Sequence, residues 1–171
     1  MEEQARPAER GRVADVRFHI NWQWPAIDMQ YQRLIERTRL SADNMLVEHM
    51  RIVADMDFLV TAVRRFLRTA AVARQIPSED QHQLKLALKV FNSRWGNLKP
   101  VRDALEHSDT AANFPVPAVA TTVTGNGEGE FIFMWPGDNI HLTKLYEDSR
   151  SILKAILGII QPLELTPQNR E

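Results

Sequence analysis

The side chains of this chain that could move protons or hold a metal are few. Five histidines and no cysteine occur among 171 residues, so imidazole and carboxylate must carry any acid–base or metal chemistry, and disulfides, thiolate zinc sites and cysteine nucleophiles are excluded. Glu79 and His82 have the Glu-x-x-His spacing of di-metal sites in helical bundles. Such sites need a second pair and two further inward glutamates, and no second pair exists here. The two residues read as a helix-start carboxylate and an exposed histidine, and no metal or other cofactor is expected. His19 is expected at the surface. His49 falls on an apolar stripe between Leu46 and Val53, with Asp57 two turns further on. Interior polar groups are normally satisfied by partners, so this pair reads first as a core histidine bonded to a carboxylate, or a flank residue reaching out to solvent, and second as a pocket. Arg64, Arg65 and Arg68, with Arg74 beyond them, make a basic stretch in which Arg64 and Arg68 share a face. They are candidate nucleic-acid contacts, or else a solvated helix face. Trp22, Trp24, Trp95 and Trp135 read as packing rather than as a platform for bases, because no basic groove surrounds them.

The densest chemistry lies in the stretch RDALEH at 102–107. Cleavage of RNA through its 2′-hydroxyl requires a group that moves protons and a cation that stabilises the charged phosphorane; His107 and Arg102 are of those types. Asp103 precedes His107 by four residues, so both can share a helical face and the carboxylate can orient the ring. This arrangement resembles the Arg-x4–6-His motif of the HEPN superfamily (higher eukaryote and prokaryote nucleotide-binding domain), in which the second residue is commonly polar. The resemblance implies a helical bundle, a metal-independent ribonuclease of a toxin–antitoxin or phage-defence system, and a dimer whose two motifs face one cleft. Arg102, Asp103 and His107 would be its catalytic residues and RNA its partner. The same residues also form two opposite-charge pairs, Arg102 with Glu106 and Asp103 with His107, of the kind found on exposed helix ends. The competing expectation is therefore a non-enzymatic interaction or scaffold protein, such as an antitoxin-like partner of another chain.

The elements that must position these groups can be read from periodicity. Val16, Phe18, Ile20, Trp22 and Trp24 alternate with polar residues, which predicts a half-buried strand at 16–24, ended by Pro25 in the first turn of a helix. From Tyr31 to Ala70 the apolar positions keep helical spacing without glycine or proline. This predicts one long helix through 26–74, or two joined by a kink near 41–44, where helix formers are weakest; the long helix is the favoured reading. Ser78 is the expected N-cap of the next helix, which buries Leu84, Leu88, Phe91, Trp95 and Leu98 and continues to His107. Val119, Thr121, Val123 and then Phe131, Phe133, Trp135 flank the turn GNGEG at 125–129, predicting a β-hairpin within 113–139 that pairs with the strand at 16–24. That turn lacks the Lys-Ser/Thr ending of a phosphate loop and leads into a strand. Leu142 through Ile160 supply a last amphipathic helix, closed by Pro162.

The fold class expected is thus mainly α: a bundle of long helices with a small antiparallel sheet. It forms one domain over 16–165, with loose tails at 1–15 and 166–171. Composition agrees, since 44% apolar and 25% charged residues with a net charge of -1 describe an ordinary globular domain with no global positive field toward nucleic acid or anionic lipid. The charged first residues lack the apolar core of a signal peptide, and the most apolar window is far shorter than the ~20 residues that cross a bilayer. No membrane partner is expected and a cytoplasmic location is. Because Ile152, Leu153, Ile156, Leu157, Ile159 and Ile160 nearly encircle the last helix, a homodimer that buries it is expected as well.

Overall fold

A computed structural model describes residues 7–39, 45–96, 98, 123–125, 131–135 and 138–161. Among the described residues the elements are α1 (Pro7–Arg39), α2 (Met45–Ala73), α3 (Gln81–Trp95), β1 (Val123–Gly125), β2 (Phe131–Trp135), β3 (Asp138–His141) and α4 (Leu142–Ile160). The chain is mainly helical, as its periodicity requires.

The segment 16–24 is helix, not strand, and it lies inside α1. The reason is geometric. Two residues along a helix turn through about 200°, so Val16 and Ile20 fall on one side while Phe18 and Trp22 fall on the other. A helix apolar on two opposite faces therefore imitates the alternation of a strand. Val13, Val16, Ile20, Ile27, Tyr31 and Leu34 form the buried face, at spacings of three and four or their sum. Helix α1 also begins at Pro7, a position where the missing N–H costs nothing, so the loose tail expected through residue 15 is corrected from residue 7 onward. Pro25 sits in the helix interior on the exposed side, rather than in a first turn.

The long helix expected over 26–74 is likewise two. Helix α1 ends at Arg39 and α2 starts at Met45, and the two pack antiparallel. Three bonds spaced along the pair record the reversal. Arg37 Nε meets Asp55 Oδ2 at 2.6 Å, Thr69 Oγ1 donates to Gln23 Oε1 at 2.9 Å in the buried middle, and Arg12 Nη1 donates to the Gln75 carbonyl at 3.3 Å. A continuous helix over that span would be roughly 70 Å long and leave both apolar stripes uncovered; the reversal buries Met56, Leu59, Val60, Val63 and Phe66 against α1 and α4.

Helix α3 starts at Gln81 with Asp80, not Ser78, in the cap position. Ser78 instead accepts the Asp80 N–H at 3.2 Å, and the Gln81 amide reaches back to the carbonyls of Arg74 and Ile76, tying down the connection. Leu84, Phe91, Trp95 and Leu98 are buried as expected, whereas Leu88 is half-buried. Asp148 joins α3 to α4 by accepting from Trp95 Nε1 at 2.8 Å and pairing with Arg94 at 2.9 Å.

Helix α4 touches all three other helices. Its Ile152, Leu153, Ile156, Ile159 and Ile160 are buried within a single chain, so the apolar girth that suggested a dimer through this helix is already covered. The hairpin forms with Val123 opposite Phe133 and Gly125 opposite Phe131. Its third strand is β3, paired antiparallel with β2, and not residues 16–24. β3 runs directly into α4, and Ile140 anchors it in the core.

Candidate functional site

The three residues expected to cleave RNA, Arg102, Asp103 and His107, lie outside the described residues, as does the side chain of His49. Glu79 and His82 are both exposed, and among the described residues no group of three histidines or carboxylates is placed to hold a metal ion. His19 is exposed, with its ring beside Phe18 and Trp22. Of the basic stretch, Arg65 and Arg68 are exposed, whereas Arg64 is half-buried with its Nη1 enclosed and unbonded among the described residues. Arg65 alone of the three lines the groove described below. Among the described residues no helix is long and apolar enough to cross a membrane.

Among the described residues, Tyr146 is a strongly perturbed titratable group. Tyr146 on α4 stacks on Tyr31 of α1 with ring centres 4.1 Å apart and planes 8° from parallel, and its hydroxyl donates to Asp28 Oδ1 at 2.5 Å. Burial, and then the hydrogen bond to Asp28, push the phenol up to about 12. A phenol held that firmly stays neutral and is a poor nucleophile or base near neutral pH. With Trp24 5.4 Å away and Tyr31 Oη 3.4 Å from Thr143 Oγ1, the cluster fastens α4 to α1.

Among the described residues, a feature without a structural use is the outer side of α1. Phe18 is 67% exposed, Trp22 44% and Met29 46%. With Pro25, also exposed, they occur at intervals of four, three and four residues, on the side of α1 opposite its buried face. Beside this stripe runs a groove of about 340 Å³ between α1 and α2, lined by Trp22, Gln23, Ala26, Gln30, Asp57, Phe58, Thr61, Ala62 and Arg65. Phe58, 58% exposed, adds a further aromatic rim, and Gln30 Oε1 is enclosed there with no partner among the described residues. Asp57, expected beside His49 on an apolar stripe, is half-buried on this groove. Trp24 and Trp95 pack inside as expected; Trp22 does not. The stripe is visible in the sequence, but the alternation of 16–24 hides it by merging two helical faces into one apparent strand. Comparison with protein families, with curated proteins and with solved structures gives no match to this chain.

Proposed function

We propose that this chain is a non-enzymatic helical interaction module that binds an α-helix of another polypeptide along the outer face of α1. One observation supports the reading: Phe18, Trp22, Pro25 and Met29 form an apolar stripe on the side of α1 turned away from the core. Isolated exposed apolar residues are ordinary, but aromatic side chains aligned at helical spacing form a contiguous patch of the type that marks an interface. Repeats of four and three residues are the spacing with which one helix receives the side chains of another. The exposed Arg65 beside the stripe suits the polar rim of such an interface. The RNA-cleaving reading rests on Arg102, Asp103 and His107 alone.

Two measurements test the proposal. A photo-crosslinking amino acid placed at position 18 in cells making the protein should yield a protein adduct, whereas one at the exposed Lys89 of α3 should not. Absence of any adduct from position 18 would sink the reading. Wild-type protein should also leave a mixed-sequence RNA intact in EDTA; cleavage that disappears in His107→Ala would replace the interaction module with the nuclease.

A further inference from the structure

Resting on the interaction reading, we infer that the helix received by α1 is α1 of a second copy of this chain, packed antiparallel about a two-fold axis between Trp22 and Pro25. A two-fold interface must be self-complementary, so that if residue i meets j then j meets i. The stripe meets this condition. Its intervals of four, three and four read the same in both directions, so antiparallel pairing sets Phe18 against Met29 of the second copy and Trp22 against its Pro25.

The charges flanking the stripe obey the same symmetry. Asp15 and Arg33 are both exposed and lie on the same flank, eighteen residues apart or five whole turns. In the antiparallel pair Asp15 of each copy comes beside Arg33 of the other, and this happens twice. Further out, Glu36 faces the turn that holds Arg10 of the second copy, and both are exposed. A parallel pair would instead put the Asp15 and Arg33 flanks of the two copies on opposite sides of the contact, and neither opposite-charge contact would form. An unrelated partner helix would need to carry the complementary order by coincidence, whereas a second copy carries it by identity.

The extent sets the strength. Residues 11–36 run for about 38 Å at 1.5 Å per residue. Taking roughly 200 Å² for a large side chain, the exposed fractions of Phe18, Trp22 and Met29 give about 300 Å² of apolar surface per copy. That is under half of the ~800 Å² per partner of a standard interface, so a weak, micromolar pair is expected. Because the core of each chain is closed without this contact, folding and dimerisation should be separable.

Sedimentation velocity over a micromolar concentration series should show a monomer–dimer equilibrium. Trp22→Glu and Phe18→Glu, both at exposed positions, should each raise the dissociation constant more than about 100-fold while leaving helical circular dichroism unchanged. Asp15→Arg and Arg33→Asp should each weaken the dimer about tenfold, and the two together should restore it, because the reversed charges meet again across the axis. A monomer at every concentration, or a double variant no tighter than the singles, overturns the assignment. If position 18 then crosslinks to a different polypeptide, the second copy is excluded while the interaction module stands; if it crosslinks to nothing, both fall.

Discussion

Replacing Pro25 by alanine tests the element on which the rest depends, the unbroken α1. Within Pro7–Arg39 a proline at 25 cannot donate to the carbonyl of Asn21, and its ring crowds that carbonyl. The cost of proline in a helix interior is about 3 kcal/mol relative to alanine. Against this, alanine gives the unfolded chain more freedom, which costs up to about 1 kcal/mol. The side chain at 25 is exposed, so no core contact is lost, and comparing the two residues in a Trp22→Glu background removes any contribution of the proposed dimer. The net expectation is stabilisation by about 2 kcal/mol, which for a domain of this size raises the melting temperature by roughly 4–8 °C. Thermal and urea melts of Trp22→Glu with and without Pro25→Ala, at one chain concentration, measure it. An unchanged or lower midpoint would refute the reasoning, because a proline at the end of a strand or in a first helical turn has no such penalty to release.

Tyr146→Phe keeps the ring on Tyr31 but leaves Asp28 without its donor, and should cost about 1–2 kcal/mol near neutral pH. Since the folded chain holds the phenolic proton more tightly than the ordinary value of 10.0, this advantage is complete below pH 10 and is lost as pH rises toward about 12. Urea melts should therefore show wild type and Tyr146→Phe converging across that interval; a gap that stays constant or widens would contradict the assignment of the bond. Phe66→Ala, at a fully buried position of α2, should cost about 3–5 kcal/mol in a urea melt, whereas Phe58→Ala, on the rim of the groove, should cost less than about 1. Equal effects would mean that the groove face belongs to the core.

Much of this fold is written in local pattern. The hairpin and its pairing of Val123 with Phe133 follow from a glycine-rich turn between alternating apolar residues, and α4 follows from apolar positions repeating at three and four. These signals survive because a single period describes each segment from end to end. The sequence also marks 41–44 as the weak point between Tyr31 and Ala70, because Ser, Asp and Asn are poor helix formers. That α1 and α2 run antiparallel is decided by tertiary structure: only this arrangement lets Gln23 meet Thr69 and Arg37 meet Asp55.

The candidate interaction surface was legible as residues and illegible as a surface. Val16, Phe18, Ile20, Trp22 and Trp24 fit a strand buried on one side and a helix apolar on two, and periodicity alone cannot choose between them. Longer contacts choose. The stripe through Val13, Val16, Ile20, Ile27, Tyr31 and Leu34 finds α2 and α4 to cover it, and Tyr31 stacks on Tyr146 from more than a hundred residues away. Once that stripe is taken inward, the geometry of 3.6 residues per turn leaves Phe18, Trp22 and Met29 facing out. Local sequence determined that α1 would carry two apolar faces; the packing of α2 and α4 against one of them decided which face stayed exposed.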